Sequence, residues 1–102
     1  MNRWLFKDGP ETTAVTSEEI AGRSVQISYV SHEVDEEGEI IWQFLHGENY
    51  FDFSTALIVR LDTILKIDGT IAELAELPIG YSATRKDIGD PWTIQPIVAS
   101  GA

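Results

Sequence analysis

The sequence predicts a single α+β domain, with an antiparallel sheet of about four to six strands and two or three short helices. Short alternating or β-branched segments recur between turn signals. The residue patterns that mark helix starts are followed by only short apolar stretches, so the helices should be short. The predicted strands and helices do not alternate regularly, as they would in a parallel α/β sheet. The 102 residues suit one domain, for which an antiparallel sheet with one covered face is the simplest arrangement.

The first third of the chain carries the least distinct signals. Trp4–Phe6 has the composition of a short strand, and Asp8–Pro10 predicts a turn. Thr16 and Glu19 have the spacing of a capping box, so we expect a helix that begins at Thr16. Gly22 follows within two turns and predicts the end of that helix.

The next segment predicts a β-hairpin. Val25–Val30 alternates apolar and polar residues, and Ile40–Leu45 is rich in β-branched and aromatic residues. The polar segment Asp35–Gly38 between them ends in glycine and predicts the turn. These two strands therefore pair as neighbours in the sheet.

The register of the hairpin decides which rings are buried. With the loop centred on Glu36 and Glu37, Tyr29 lies on the same buried face as Trp42 and Phe44. A slip of one residue would put Tyr29 on the opposite face from those rings, so burial should determine the register. We expect Trp42 and Phe44 to belong to the core.

The second half predicts another strand, two short helices and two final strands. Ala56–Leu61 is the strand, and Asp62 is expected to cap the first helix. Thr70–Glu73 forms a second capping box, whose helix ends before Pro78. The final predicted strands are Tyr81–Arg85 and Trp92–Gln95.

The charge is strongly negative, at −10 with a pI near 4.3. Nucleic acid would repel such a surface, so we expect no nucleic-acid partner. No Lys or Arg lies between Arg23 and Arg60, an interval that is uniformly acidic. The simpler explanation is that these acids keep the protein soluble. The more specific explanation is that they bind a basic protein partner. The acids of the interval are Glu33, Asp35, Glu36, Glu37, Glu39, Glu48 and Asp52.

The location predicted from the sequence is the cytoplasm, with no membrane association. The N-terminal apolar run is too short for a signal peptide, and Asp8 and Glu11 follow it at once. No stretch approaches the roughly 18–20 apolar residues of a membrane helix. The sequence also contains no cysteine, which agrees with a reducing compartment.

The sequence contains no recognisable catalytic, cofactor or metal motif. Without cysteine there is no thiolate nucleophile and no cysteine-based zinc site. A serine-hydrolase elbow, a phosphate loop and a dinucleotide fingerprint are also missing. In the predicted hairpin, His32 and His46 lie roughly 15 Å apart at ~3.3 Å per residue, too far to share a metal. The turn Asp35–Gly38 lacks the ligand spacing of an EF-hand, so we predict no metal site and no cofactor.

The candidate binding residues fall into two groups. Acids and aromatic residues mixed in one segment can form a recognition patch, although a loop packed on the core would have the same composition. Arg85 has two interpretations: it pairs with a carboxylate at the edge of the core, such as Asp68, or it binds an anionic ligand. The predicted binding residues are Glu36, Glu37, Glu39, Glu48, Tyr50, Asp52 and Arg85.

Residues 25–95 resemble a set of short bacterial proteins of unknown function. The motifs that carry the resemblance are Trp42–Gly47 (W-Q-F-L-x-G), Leu77–Gly80 (L-P-x-G), Ala83–Arg85 (A-x-R) and the late Trp92. More distantly, the pattern is similar to immunity-like domains, which neutralise toxins from neighbouring cells. Some members of the set carry a cysteine pair near the position of Ala14–Ser17, and any thiol role there does not transfer to this chain.

These observations lead to one main hypothesis and two alternatives. The acidic interval and the resemblance favour a non-enzymatic domain that binds a basic protein, as an immunity-like domain would. One alternative is a small-ligand-binding or accessory domain with an aromatic pocket and Arg85. The other is a hydrolase, which requires two carboxylates that converge in a cleft. An exposed strand edge would also allow a homo-oligomer, but nothing in the sequence selects it.

Overall fold

A computed structural model describes residues 4–47 and 56–97 of the chain, and it confirms the predicted α+β class. Within these ranges, six strands form one sheet and three short helices accompany it. The strands are β1 (Thr13–Ser17), β2 (Tyr29–Val34), β3 (Ile40–Leu45), β4 (Ala56–Arg60), β5 (Tyr81–Thr84) and β6 (Thr93–Pro96). The helices are α1 (Glu18–Ala21), α2 (Leu61–Ile67) and the 3₁₀ helix Gly69–Leu74.

The strand order in the sheet is β4-β1-β3-β2-β5-β6. Four of the five neighbouring pairs are antiparallel, and β1 with β3 is parallel. The sheet is therefore mostly antiparallel, as predicted, with one parallel pair, and its six strands lie within the predicted four to six. The parallel pair is possible because β1 and β3 are separated in the chain by α1 and β2, and this long connection allows a parallel return.

The segment around β1 was assigned incorrectly from the sequence. Trp4–Phe6 is not a strand, and Thr13–Ser17 is. Ser17 caps α1 by accepting the N–H of Ile20, whereas Thr16 is buried and donates its hydroxyl to the Phe44 carbonyl at 2.8 Å. A capping-box spacing cannot distinguish these roles, because β1 pairs only with strands that are distant in the sequence.

The hairpin is confirmed, but its register differs from the prediction by one residue. Val30 pairs with Phe44, and Tyr29 pairs with Leu45 on the opposite face. The turn contains one residue more than a loop centred on Glu36 and Glu37 would allow, and Gly38 accommodates it with a φ of 85°. The start of β2 also lies four residues later than predicted.

The core lies on the face of the sheet that the helices cover. Trp42 and Phe44 are 1% and 0% exposed and stack on each other, which confirms their predicted burial. The N-terminal segment adds Phe6, whose ring meets Trp42 edge-on at 5.3 Å. The helices and the loop that follows them contribute the opposite side of the same cluster: Ile20, Leu61, Ile64, Ile71, Leu74 and Leu77.

The elements of the second half agree with the prediction, but their caps do not. Asp62 lies in the first turn of α2 and pairs with Arg60 instead of capping the helix. The cap of the 3₁₀ helix is Asp68, which accepts the N–H of Thr70. Because Asp68 rather than Thr70 caps this helix, the Thr70 hydroxyl can accept a hydrogen bond from Arg85.

Candidate functional site

The tip of the β2–β3 hairpin carries most of the acidic residues predicted to bind a partner. Glu36, Glu37 and Glu39 are all exposed there. Asp35 organises the turn, because its Oδ1 accepts the backbone N–H groups of Glu37 and Glu39 at 2.9 Å each. We call residues 33–40 the acidic tip.

The acidic tip also has an apolar centre. Val34 and Ile40 are directly paired across the two strands and are 50% and 43% exposed. By strand alternation, Val34 and Ile40 lie on the same face of the sheet as Trp42 and Phe44. Unlike those two rings, they do not belong to the buried core cluster. Two exposed apolar side chains on a turn rich in carboxylates resemble the composition of a small protein-binding patch.

The carboxylates of the tip have no cationic partner in the part of the chain that is described. The ion pairs found there involve Asp8, Asp62 and Asp68, all outside the tip. Glu33 accepts a hydrogen bond from the Ser31 hydroxyl, which does not neutralise its charge. The tip therefore presents uncompensated negative charge on a fixed backbone.

Arg85 is buried and forms the ion pair with Asp68 that was one of its two predicted roles. Its Nη2 lies 2.6 Å from Asp68 Oδ2, and the two side chains are 1% and 7% exposed. Nε and Nη2 donate to the Ile27 carbonyl, and Nη1 donates to the Thr70 hydroxyl at 2.8 Å. The guanidinium also lies over the Trp92 ring, 4.2 Å from its centroid.

The surroundings of Asp68 favour its ionised form. Burial is the largest influence and opposes ionisation, but the hydrogen bonds from Thr70 and the hydrogen bond and charge of Arg85 together outweigh it. The pKa of Asp68 consequently lies below the ordinary value for an aspartate. The pair is thus charged at neutral pH and ties the 3₁₀ helix to β5.

A shallow groove of about 610 Å³ lies beside Arg85, lined in part by Ser28, Thr84 and Lys86. The alternative interpretation of Arg85, that it binds an anion, requires its N–H groups to face this groove. Because Arg85 already donates to Ile27, Thr70 and Asp68, most of its hydrogen-bonding capacity is directed into the protein rather than into the groove.

A second cavity, of about 370 Å³, is lined in part by the buried histidine His32. The His32 ring is stacked on Trp42 with centroids 3.8 Å apart, and its Nδ1 lies 2.7 Å from the Leu77 carbonyl. Its Nε2 is shielded from solvent and has no hydrogen-bond partner among the described residues. Asp8 Oδ2 lies 3.7 Å from Nε2 and accepts the indole N–H of Trp42 at 2.8 Å.

No local signal could have revealed this arrangement. Asp8 and His32 are 24 positions apart, and residues 75–79, which line the same cavity, follow the 3₁₀ helix. His32 pairs with Trp42, where the predicted register placed it beside Ile41. The one-residue difference brings the imidazole onto the core face, where it meets Asp8.

Three of the predicted binding residues, Glu48, Tyr50 and Asp52, lie outside the described residues. Within residues 4–47 and 56–97, no three His, Asp or Glu side chains are close enough to hold a metal ion. The helices in the same ranges all lack the length and apolar character needed to span a membrane.

The fold and the two surfaces define a small α+β protein with a mixed six-stranded sheet, an acidic hairpin tip and a separate cavity around a buried histidine. Comparisons with known protein families, with curated proteins and with solved structures find no match.

Proposed function

We propose that this protein is a non-enzymatic binding domain that docks a basic protein on its acidic tip. The observation that carries the proposal is that one hairpin tip presents both the exposed pair Val34 and Ile40 and carboxylates that form no ion pair within the described residues. Charge would steer a basic surface towards the tip, and the apolar pair would provide the contact that is buried on docking.

The tip is preorganised for such a contact. The ladder between β2 and β3 extends to Val34 and Ile40, and Asp35 fixes the backbone of the turn beyond it. A surface that is already ordered loses little conformational entropy on binding. The resemblance to immunity-like domains suggests a class for the partner, namely a basic toxin domain met in the cytoplasm.

The test is a pull-down with charge-reversed baits followed by direct titration of the recovered protein. Reversal of Glu36, Glu37 and Glu39 to Lys should abolish capture, and added salt should slow association of the wild type. The matched control reverses three exposed acids elsewhere, Glu11, Glu19 and Glu73, and so changes the net charge equally.

The two triple variants separate a local surface from a general effect of net charge. Equal loss of binding in both would show that only net charge matters, and unchanged binding in the tip variant would refute the proposal. Replacement of Val34 and Ile40 by Ser should weaken binding without changing its salt dependence. Protection of cells against a toxin among the captured proteins would establish the immunity-like role.

A further inference from the structure

The two edges of the sheet differ in how readily they can accept another strand. Within the described residues, β4 and β6 each have one neighbouring strand, which is β1 for β4 and β5 for β6. The outer side of an edge strand presents backbone N–H and C=O groups with which a further strand can pair. The residues that present these groups can be identified from the hydrogen bonds on the inner side of each strand.

The outer edge of β6 is blocked by proline. The N–H of Ile97 donates to the Gly80 carbonyl, so the alternation of an antiparallel ladder directs the backbone groups of Ile94 and Pro96 outwards. Pro96 has no N–H, and Pro91 lies shortly before the strand. Proline in an edge strand is a common means of preventing the addition of another strand.

The outer edge of β4 is open. The N–H of Leu61 donates to the Thr12 carbonyl, so the same alternation directs the backbone groups of Ala56, Ile58 and Arg60 outwards. The five residues of β4 include no proline, so each of these three residues has both an N–H and a C=O. Ile58 is 76% exposed, more than any other large apolar side chain in the described part of the chain.

A second copy of β4 fits this edge and leaves none of its outward backbone groups unpaired. In an antiparallel pair with its two-fold axis at Ile58, Ile58 faces Ile58 of the second copy and Ala56 faces Arg60 of the second copy. These facing residues are the hydrogen-bonded positions, so each exchanges an N–H and a C=O bond with its counterpart. Leu57 and Val59, which are half-buried, face each other between the two copies on the core face. The contact is therefore apolar on both faces of the sheet.

The charge of β4 also favours a second copy. The net charge of the chain is −10, so two copies repel each other over most of their surface. β4 contains no acidic residue, and its charged residue, Arg60, pairs with Asp62 of its own chain at 2.9 Å. In the paired strands the two arginines lie at opposite ends, roughly 13 Å apart at ~3.3 Å per residue. This distance exceeds the Debye length of about 8 Å at physiological ionic strength, so their repulsion is screened.

We propose that this chain forms a two-fold dimer by antiparallel pairing of its β4 strands, which joins two six-stranded sheets into one. The acidic tip belongs to β2 and β3, so the dimer leaves it free and does not depend on the proposed function. A contact confined to two five-residue strands is smaller than the roughly 1,200 Å² of the smallest stable interfaces. The dimer should therefore dissociate on dilution.

Sedimentation velocity over a range of about 1 µM to 1 mM protein tests for the dimer. We expect a reversible rise from the monomer mass of 11.4 kDa to twice that mass. Added salt should tighten the dimer, because it screens the repulsion between two acidic copies. A wild type that stays monomeric at every concentration would overturn the proposal.

Two matched variants locate the interface. Ile58→Lys brings two ammonium groups together at the two-fold axis and should weaken the dimer at least tenfold. Ile94→Lys makes the same change on the exposed face of the blocked edge and should leave the dissociation constant unchanged. Circular dichroism confirms that both variants fold. Equal effects of the two substitutions would show that the dimer forms elsewhere.

A cysteine at the two-fold axis tests the pairing geometry directly. The Cα atoms of a hydrogen-bonded antiparallel pair are about 5.5 Å apart, within the range of about 4.4–6.8 Å that a disulfide spans. The chain has no cysteine of its own, so a single one reports on one position. Ile58→Cys should form a covalent dimer under mild oxidation, and Ile94→Cys should remain monomeric. Equal cross-linking at both positions, or none at position 58, would refute the pairing.

Amide hydrogen exchange of the wild type completes the test and requires no variant. The N–H groups of Ile58 and Arg60 should exchange more slowly as the protein concentration rises, and that of Ile94 should not change. Slower exchange at Ile94 alone would place the interface on the other edge. An Ile58 N–H that is protected equally at every concentration in a monomer would show that the edge is covered within one chain, and would also overturn the proposal.

Discussion

Replacement of Arg85 by Met should remove a large part of the stability of this fold. The substitution preserves much of the volume but deletes the donors to Ile27, Thr70 and Asp68. It also leaves the Asp68 carboxylate, only 7% exposed, without its cation. Breaking a buried ion pair by removing one partner costs about 3–5 kcal/mol.

The size of this loss can be compared with the stability of the whole protein. A domain of 102 residues has a free energy of unfolding of about 5–15 kcal/mol. At about 4–8 °C per kcal/mol, the melting temperature should fall by roughly 12–40 °C. In this variant the Thr70 hydroxyl and N–H still donate to Asp68 and partly stabilise its charge. We therefore expect a loss of stability near the lower end of the range of about 3–5 kcal/mol.

Urea unfolding followed by far-ultraviolet circular dichroism measures the loss, with the slope against urea expected to stay constant. The exposed neighbour provides the control, since Lys86→Met should change stability by less than about 0.5 kcal/mol. The double variant Arg85→Met, Asp68→Asn removes the unpaired charge, and should lose less than the sum of the two single losses. A loss below about 1 kcal/mol in Arg85→Met, or strictly additive losses, would refute the conclusion that Arg85 and Asp68 stabilise the fold as a buried ion pair.

Two further predictions concern Asp68 and the turn. Because the folded-state pKa of Asp68 is lowered, its contribution to stability is present above the unfolded value of about 3.9 and is lost as the pH falls through the folded value. Urea midpoints measured from pH 6 to pH 2 should therefore fall less steeply below pH 4 in Asp68→Asn than in the wild type, and identical slopes would contradict the lowered pKa. Gly38→Ala places a side chain at a φ of 85° and should cost about 1–2 kcal/mol, although no atom would obstruct the new methyl group. Gly69→Ala, which is equally open but has no positive φ, should be neutral or slightly stabilising in the same urea assay, and equal losses at the two glycines would show that backbone strain is not the cause.

The hairpin shows how far local patterns predict this fold. Ile40–Leu45 was predicted with its observed bounds, because a run of β-branched and aromatic residues has few alternatives to a strand. The partner strand was misplaced, because Ser31, His32 and Glu33 are polar and an alternating pattern ended before them. These polar groups are accommodated in the strand by contacts that only the fold supplies, such as the bond from His32 to the Leu77 carbonyl.

Ile27 illustrates the opposite error. It belongs to an alternating segment and is 1% exposed, yet it lies before β2. Its carbonyl accepts two hydrogen bonds from Arg85 instead of a bond from a neighbouring strand. A hydrophobic pattern indicates which residues are buried, but a buried residue need not belong to a strand. The pattern therefore predicted the burial of Ile27 correctly and its strand pairing incorrectly.

The candidate surfaces were predictable to different degrees. The acidic tip follows from a hairpin turn and a run of acids, both of which are local features of the sequence. The pairing of Arg85 with Asp68 was one of two options that the sequence left open, and the geometry supplied the hydrogen bonds that distinguish them. The cavity of His32 and Asp8 had no sequence signal, since its walls come from three separate segments.

The amino-acid sequence by itself determined the fold class, the excess of negative charge, the position of the hairpin turn and the burial of Trp42 and Phe44. These properties depend on composition and on patterns within a few residues. Tertiary structure alone decided the parallel pairing of β1 with β3, the register of the hairpin and the meeting of His32 with Asp8. Each of these depends on contacts between segments far apart in the chain, whose free energies are settled only when the whole core packs.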